Sequence, residues 1–537
     1  MMTLIDLIIS NGTIVDGTGK PSYKADIAIS EGKIAAISEN MKLEARETID
    51  ASGLIVTPGF IDVHSHNDLV PFMGDSLKVL KLYQGVTTEL VGQCGLGVVP
   101  IAENENKVWK DYVRGVVGDP DIKWNFNNMQ DYMDKISNEG LKNNYAVLIS
   151  HGAIRTKVLG FDNRTPNEAE LNKMCSILKE AMEDGAYGMS IGLQYMPAIF
   201  SNKEELIAMC KIVKQYDGII MVHLRNHDDS IINALDEIIE IAETSSVRLH
   251  ISHLRSYASK ALGCSADTLI AIVNKAFYRG VAITYDEHLY LSGSTLMTQL
   301  LPPWVTKGGT EVMLLRLKDK NVLDKLKKEL FSSKTHYTGW DNYSYITGFD
   351  GVLITSVNKK ENYRYIGRTV GDLAKELSIH PVDFLAKLLV EEQTGVGIVT
   401  INVFSYEDTV KLINHPLQMV GSDSIPAGVP HPRLYGNFPL YIGKFVRDRK
   451  ALSLEEAIYK CTLLPAKTLG LKETGELSIY KKADITIFNY NEIKAYEDYN
   501  NPTKAPKGIK YVIINGNIAL KNGEVCRESY GKVLKYN

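Results

Sequence analysis

Short apolar runs that end in polar residues alternate with helical patterns through the middle of the chain. Eight such runs predict β-strands, in the order GFIDVHSH, ELVGQC, YAVLISHG, AYGMSIGL, GIIMVHLR, VRLHISHL, AITYDEHL and LQMVGSD. Residues 168–185 and 203–218 show apolar residues at helical spacing, with capping-type residues before each segment and a glycine at its end. Eight strands alternating with helices predict an α/β fold, a parallel (β/α)8 TIM barrel.

The two ends of the chain have a different pattern, with short alternating apolar runs separated by Asn-Gly, Asp-Gly and Glu-Gly turns. This pattern is typical of antiparallel strands joined by hairpins. It occurs in residues 1–57 and again in residues 465–537. We therefore expect both ends to form one small, β-sandwich-like domain beside a barrel domain that spans residues 58–464.

The seventh and eighth predicted strands are separated by well over a hundred residues, far more than a barrel connection needs. Residues 301–391 carry helical charge patterns, as in LLRLKDKNVLDKLKKELFSS and VGDLAKELSIH. An insertion at this point would leave from the carboxyl-terminal face of the barrel, where active sites lie. We expect it to act as a lid over a substrate; the alternative is an addition without a role.

Composition and charge narrow the class of function. The formal net charge of -4 provides no basic surface for nucleic acid. The N-terminus lacks the basic region of a signal peptide, and no segment approaches the apolar length of a membrane span. The six cysteines lack the paired spacing of a disulfide framework. These features predict a cytoplasmic enzyme for small molecules, without nucleic-acid or membrane partners, and leave its oligomeric state open.

Side chains that can bind a metal ion follow five of the predicted strands: His64, His66, Cys94, His223, His253 and Asp423. The spacing of the first two places both imidazoles on the same face of a strand. Because the carboxyl ends of barrel strands surround one site, we expect all six side chains to lie together. A thiolate among imidazoles favours zinc over magnesium or calcium. A carboxylate at the same rim, that of Asp423, suits a general base.

With these motifs the chain resembles the N-acyl-D-amino-acid deacylases, or D-aminoacylases, of the amidohydrolase superfamily. The resemblance runs nearly end to end, through TPGFIDVHSHND, GVTTELVGQCG, GAYGMSIGLQYMPA, the two His-Leu-Arg strands, GSDSIPAGVPHPRLYGNFP and KKADITIF. Many superfamily members carry a carboxylated lysine on the fourth strand, and AYGMSIGL has none. In the D-aminoacylase branch a cysteine of the second strand takes part instead, and Cys94 stands at that position.

The resemblance implies the metal content and the ligands of the site. It implies one tightly held zinc ion on Cys94, His223 and His253. It also implies a second, weaker position formed by His64, His66 and Asp423.

The resemblance further implies contacts with the substrate, in which Arg433 and Arg255 would bind a carboxylate. Tyr290 would hold the scissile carbonyl, and Ser294 and Tyr195 would lie beside the bound amino acid. Relatives usually have a lysine in place of Arg255. They read Tyr-Pro-Tyr where this chain has His-Leu-Tyr at residues 288–290.

The activity implied is hydrolysis of N-acyl-D-amino acids to a carboxylate and a free D-amino acid. The segment TLMTQLLPPW after Ser294 contains no arginine, whereas an acidic side chain would need a second cation. We therefore expect neutral, apolar D-amino acids as products. Two alternatives are a cyclic-amide hydrolase, such as a hydantoinase or dihydroorotase, and an inactive barrel that serves as a scaffold. Cys94 and the missing lysine disfavour the first, and the intact ligand set disfavours the second.

Overall fold

The computed structural model describes residues 5–101, 107–258, 263–499 and 501–536; residues 1–4 and 537, at the outer ends of the predicted β-domain, lie outside this range. The amino-terminal part contributes five strands: β1 (Ile5–Ile14), β2 (Tyr23–Ser30), β3 (Lys33–Ser38), β4 (Ala45–Asp50) and β5 (Ile55–Pro58). β1, β2 and β3 pair antiparallel, as predicted. The predicted antiparallel pairing is wrong for β4 and β5, which both pair in parallel with β1. Residues 39–44 cross back after β3 instead of forming a hairpin, and residues 51–54 continue along β1 in the same direction.

The barrel begins directly after β5, and its first strands follow one another in parallel. They are β6 (Phe60–Asp62), β7 (Val86–Val91), β8 (Asn144–Val147), β9 (Ile149–Ser150), β10 (Gly188–Gly192), β11 (Ile219–His223), β12 (Arg248–Ile251) and β13 (Ile283–Glu287). β8 and β9 are two parts of the third barrel strand, and Leu148 between them still donates to the carbonyl of Val91 at 3.0 Å. Each strand therefore coincides with a predicted one.

The insertion after β13 occupies residues 288–417 and has its own antiparallel sheet. Its strands are β14 (Gly293–Leu296), β15 (Val352–Ser356) and β16 (Gly397–Thr400), with β16 in the centre. β14 and β16 lie outside the predicted range 301–391. The inserted unit is therefore larger than its helical charge pattern indicates, because the two strands that anchor it carry few charges.

The eighth barrel strand, β17 (Gln418–Val420), pairs in parallel with β13. Just beyond it, the backbone N–H of Asp423 donates to the carbonyl of His64 at 2.8 Å, and that of His66 donates to Ser424 at 2.9 Å. These bonds and a parallel bridge between Ser65 and Ser424 join the last strand to the first. The predicted (β/α)8 barrel is confirmed.

The carboxyl-terminal part completes the small sheet with β18 (Ile485–Phe488), β19 (Ile509–Ile514), β20 (Asn517–Lys521) and β21 (Glu524–Val525). β18 pairs with β5, so strands from both chain ends share one nine-stranded sheet, as predicted. The final run, YGKVLKY at residues 530–536, lies within the predicted β-domain but forms no strand of this sheet. It lies along the third barrel strand instead, where Leu534 donates to the carbonyl of Tyr145 at 2.7 Å, because on that side β10 pairs with β9 and leaves β8 open.

Helices surround the barrel strands and fill the insertion: α1 (Asp75–Lys78), α2 (Lys107–Val117), α3 (Met129–Asn138), α4 (His151–Leu159), α5 (Glu168–Asp184), α6 (Lys203–Gln215), α7 (Ile231–Ser245), α8 (Ala266–Tyr278), α9 (Pro303–Thr306), α10 (Gly309–Arg316), α11 (Lys320–Glu329), α12 (Tyr343–Thr347), α13 (Val370–Glu376), α14 (Pro381–Glu392), α15 (Tyr406–Asn414), α16 (Arg433–Leu440), α17 (Leu454–Cys461) and α18 (Leu463–Leu469). The two helices predicted in detail, α5 and α6, begin at the side-chain caps Asn167 and Asn202. Ile191 and Val222 of the barrel and Leu178 of α5 belong to the same main core, and all three are fully buried. Among the described residues, none of these helices has the length and apolar character needed to cross a membrane.

Candidate active site

The six candidate metal ligands lie together and buried at the carboxyl-terminal end of the barrel. The sulfur of Cys94 is 3.2 Å from His64 Nε2 and 3.5 Å from His253 Nε2. His223 Nδ1 lies 2.9 Å from His253 Nε2. On the other side, His66 Nε2 is 3.3 Å from Asp423 Oδ1. The barrel thus assembles five strand ends into one cluster, as the sequence predicts.

Cys94 belongs to both groups of donor atoms in this cluster. In each group the donor atoms lie within 4.8 Å of one another: Cys94 with His64 and His66, and Cys94 with His223 and His253. A buried set of one sulfur, four imidazoles and one carboxylate matches the ligands of transition metals rather than those of magnesium or calcium. The residues present therefore fit a resident metal ion, with the thiolate between two histidine pairs.

The turn that carries Cys94 is held by the fourth barrel strand. Cys94 has a φ of +53°, and the hydroxyl of Ser190 accepts from the backbone N–H of Gly95 at 3.0 Å and donates to the carbonyl of Gly92. A Cβ at Gly192 would lie 2.0 Å from the carbonyl oxygen of Cys94. The Cys94 turn thus occupies the space that a side chain at residue 192 would need. These contacts account for the glycine at residue 192 and the serine at residue 190, where the fourth strand meets the Cys94 turn.

Asp286, which sequence reasoning missed, orients two of the candidate ligands. Its Oδ2 is 3.0 Å from His64 Nδ1 and 2.8 Å from His250 Nε2, and its Oδ1 accepts from the backbone N–H of His253 at 3.0 Å. A carboxylate only accepts, so His64 carries its proton on Nδ1 and presents Nε2 to the cluster. Burial alone would raise the pKa of Asp286, but His64 and His250 hold it well below its usual value. The available signal was an acidic residue inside the strand AITYDEHL.

Asp286→Asn is expected to lower metal affinity by about 10- to 100-fold, the usual effect of removing a partner behind a metal ligand. A single amide oxygen cannot serve His64, His250 and the His253 backbone together. Competition with a chelator measures the affinity. The matched control is Asp484→Asn, because Asp484 is equally buried but hydrogen-bonds in the small sheet. Equal metal affinity in folded Asp286→Asn and wild type would contradict this role.

Asp423 bridges the cluster and a buried arginine. Its Oδ2 lies 2.9 Å from Arg433 Nη1, and its Oδ1 faces His66. Burial alone would raise the pKa of Asp423, but Arg433 and His66 hold it well below its usual value. The side chain is therefore ionised, which is the form that a general base needs.

Arg433 offers free hydrogen-bond donors to the cavity. It is almost fully buried, and its Nε and Nη2 have no partner within the described ranges of the chain. Buried guanidinium N–H groups normally bind an acceptor, so the site is built for an anionic ligand group.

Arg255 lines the same cavity, but its donors are already occupied. Its Nε donates to Glu287 Oε2 at 2.6 Å, its Nη1 donates to the carbonyl of Tyr290 at 2.9 Å, and its guanidinium lies 4.4 Å from the ring centre of Phe404. Of the two arginines, Arg433 therefore has the nitrogens left unpaired by the described residues, which the anion contact implied by the resemblance would need.

Two of the three remaining predicted contacts reach the cavity. Tyr195 lies 3.1 Å from Thr295 Oγ1 through its hydroxyl, and Ser294 donates to the carbonyl of Ile398 at 3.1 Å. Tyr290 is not among the cavity-lining residues. Its hydroxyl lies 3.3 Å from the carbonyl of Pro432, and its ring is fully buried in a separate apolar cluster.

The cavity above the cluster combines residues of the barrel and the insertion. It is lined by His66, Cys94, Leu96, Val116, Tyr195, His223, His227, His253, Arg255, Tyr257, His288, Gly293, Ser294, Thr295, Tyr343, Thr400, Phe404, Asp423, Ile425 and Arg433. Sequence reasoning missed His288, although the departure from Tyr-Pro-Tyr was a signal. In a continued strand, the side chains of residues 288 and 290 would point to the same face. Because β13 ends at Glu287, this alternation does not extend to them.

Comparison with known proteins finds relatives along most of the chain. A family model described as "Amidohydrolase family" matches residues 47–259 and 369–520. D-aminoacylase of Alcaligenes xylosoxydans xylosoxydans is 27% identical over 98% of this chain and 97% of its own length. N-acyl-D-glutamate deacylase of the same organism is 27% identical over 96% of this chain and 94% of its own.

A solved structure of N-acyl-D-glutamate deacylase from Bordetella bronchiseptica, complexed with zinc and a phosphonate inhibitor, has a TM-score of 0.84. It is 26% identical, and the match covers 99% of this chain and 100% of that one. The family model matches more than half of the residues, and the chain therefore belongs to the amidohydrolase family.

Proposed function

We propose that this protein is a zinc-dependent hydrolase that cleaves the amide bond of N-acyl-D-amino acids to a carboxylate and a free D-amino acid. The observation that carries the proposal is the shared position of Cys94 between two histidine pairs, next to an Asp423–Arg433 pair with free arginine donors. Relatives that match nearly end to end carry names of deacylases for N-acyl-D-amino acids.

Zinc is the metal that best fits the donors, since thiolate and imidazole are its usual ligands. We propose that Cys94, His223 and His253 hold the tightly bound ion, and that His64, His66 and Asp423 form a second, weaker position. When bound, zinc supplies Lewis-acid activation of a water molecule and of the acyl carbonyl.

Asp423 and Arg433 divide the remaining chemistry. Asp423 takes the proton of the attacking water and returns it to the departing amine, as a general base and then a general acid. Arg433 holds the α-carboxylate through Nε and Nη2 and so fixes which face of the amide meets the nucleophile. Tyr195 and Ser294 contact the bound amino acid.

The charges in the cavity favour neutral, apolar D-amino acids. Two arginines and no lysine line the cavity in the described part of the chain. Arg255 is hydrogen-bonded to Glu287, and the α-carboxylate uses Arg433, so neither arginine is free to bind an acidic side chain. Apolar neighbours such as Leu96 and Val116 match an apolar side chain.

The insertion and the cysteines support two further parts of the proposal. Tyr343, Thr400 and Phe404 reach the cavity from the insertion, which supports a lid role for residues 301–391 and their flanking strands. All six cysteines are free, which supports a reducing, cytoplasmic setting.

Release of amine from paired N-acetyl-D- and N-acetyl-L-amino acids tests this function. We expect zinc-loaded protein to hydrolyse N-acetyl-D-leucine and N-acetyl-D-methionine, and N-acetyl-D-glutamate much more slowly. A hydantoin is assayed in parallel as the substrate of the alternative function, cyclic-amide hydrolysis. Turnover of the L series, or of the ring alone, would overturn the proposal.

A further inference from the structure

His288 is a buried residue of the cavity with one ring nitrogen that lacks a hydrogen-bond partner among the described residues. Its Nδ1 has no hydrogen-bond partner among the residues that the structure describes, and only 2% of the residue is exposed. The ring lies 6.0 Å from the ring centre of Phe404 and 6.2 Å from that of His431. A buried polar atom without a partner destabilises the folded protein unless a ligand satisfies it.

The surroundings keep the His288 ring uncharged. Burial, together with the Arg255 and Arg433 guanidinium groups, lowers the pKa of His288 well below its usual value. A neutral imidazole has one N–H donor and one acceptor nitrogen. The cavity therefore contains a fixed, uncharged donor beside the arginine that binds an anion.

The substrate class proposed above offers two kinds of acceptor oxygen, the α-carboxylate and the acyl carbonyl. The two unpaired N–H groups of Arg433 match the carboxylate, because a guanidinium binds both oxygens in a fork. The acyl oxygen then needs its own donor, and it gains negative charge as the amide is attacked. A neutral imidazole performs this role without giving up its proton.

We propose that His288 donates a hydrogen bond to the acyl oxygen of the scissile amide, and that Tyr290 does not. This inference rests on the proposed function. His288 keeps its proton throughout, and the bond strengthens as charge develops on the oxygen. The phenol of Tyr290 is directed to the carbonyls of Pro432 and Tyr496, each 3.3 Å away, and so cannot serve as this donor.

His288→Phe tests the inference because it keeps a planar ring and removes the donor. We expect kcat for N-acetyl-D-leucine to fall about 100- to 1,000-fold, the effect of losing one donor to a developing oxyanion. KM and zinc content should remain close to those of wild type. Affinity for a phosphonate mimic of the tetrahedral state should fall with kcat, whereas affinity for the product D-leucine should not.

Two further variants separate a contact from a structural role. In His288→Ala, added imidazole should restore part of kcat, which a residue that only packs would not allow. Tyr290→Phe is the competing variant, and its loss of kcat should be at least about ten times smaller than that of His288→Phe.

A rise in KM alone in His288→Phe would assign His288 to the carboxylate and overturn the inference. Loss of zinc, full kcat in His288→Phe, or a larger loss in Tyr290→Phe would overturn it as well. Failure of the proposed function has a different signature, since the wild-type protein would then hydrolyse no N-acyl-D-amino acid.

Discussion

Asp423→Asn is expected to lower kcat by about 100- to 10,000-fold, the contribution of a positioned general acid–base group. The amide cannot take the proton of the attacking water, although it keeps the shape of the carboxylate. Zinc should be largely retained, because Cys94, His223 and His253 form a donor group without Asp423. Steady-state kinetics with N-acetyl-D-leucine and metal analysis of the same sample measure the two outcomes.

Asparagine is chosen because the backbone at Asp423 has a φ of +49°, which asparagine tolerates better than alanine. The matched control is Asp217→Asn, which makes the same change at a φ of +50° on the exposed surface. KM should not rise in Asp423→Asn, since Arg433 loses its anionic neighbour and attracts the substrate carboxylate more strongly. Near-normal kcat would place the base elsewhere, and loss of zinc together with kcat would make Asp423 chiefly a metal ligand.

The barrel and its metal cluster were predictable because both depend on a local pattern repeated along the chain. Each barrel strand is a short apolar run, and the residue that follows it must lie at the same rim in a closed parallel barrel. His64, Cys94, His253 and Asp423 could thus be grouped before any contact was known. The same logic located α5 and α6, because the Asn caps at their starts and the glycine at the end of α5 are local signals.

What the sequence left open depends on contacts between distant residues. β4 and the carboxyl-terminal tail both have ordinary strand patterns. Such a pattern does not say which strand each segment pairs with, and the structure pairs β4 with β1 in parallel and the tail with Tyr145. An arginine at position 255 suggests an anion contact, but its pairing with Glu287 is visible only in three dimensions. His288 was overlooked because strand alternation stops one residue before it.

Cys94→Ser is expected to have the broadest effect on the metal centre, because the sulfur belongs to both donor groups. Serine keeps the size of the side chain and replaces a thiolate with a hydroxyl, which is a poor zinc ligand. The loss of affinity at the tight position should therefore exceed the roughly 10- to 100-fold cost of removing an outer partner. Chelator competition and zinc titration followed by calorimetry measure this change.

The remaining donors determine what Cys94→Ser can still do. His64, His66 and Asp423 stay in place, so the variant should bind one zinc ion weakly and hydrolyse N-acetyl-D-leucine at least about 100-fold more slowly, since removal of the ligand misplaces the activated water. Cys175→Ser, on the outer helix α5, makes the same chemical change away from the cluster and should leave zinc affinity and kcat unchanged. A tight zinc ion with normal kcat in Cys94→Ser would show that imidazoles and Asp423 alone form the working site. Cys94 would then serve to close the turn against Gly192.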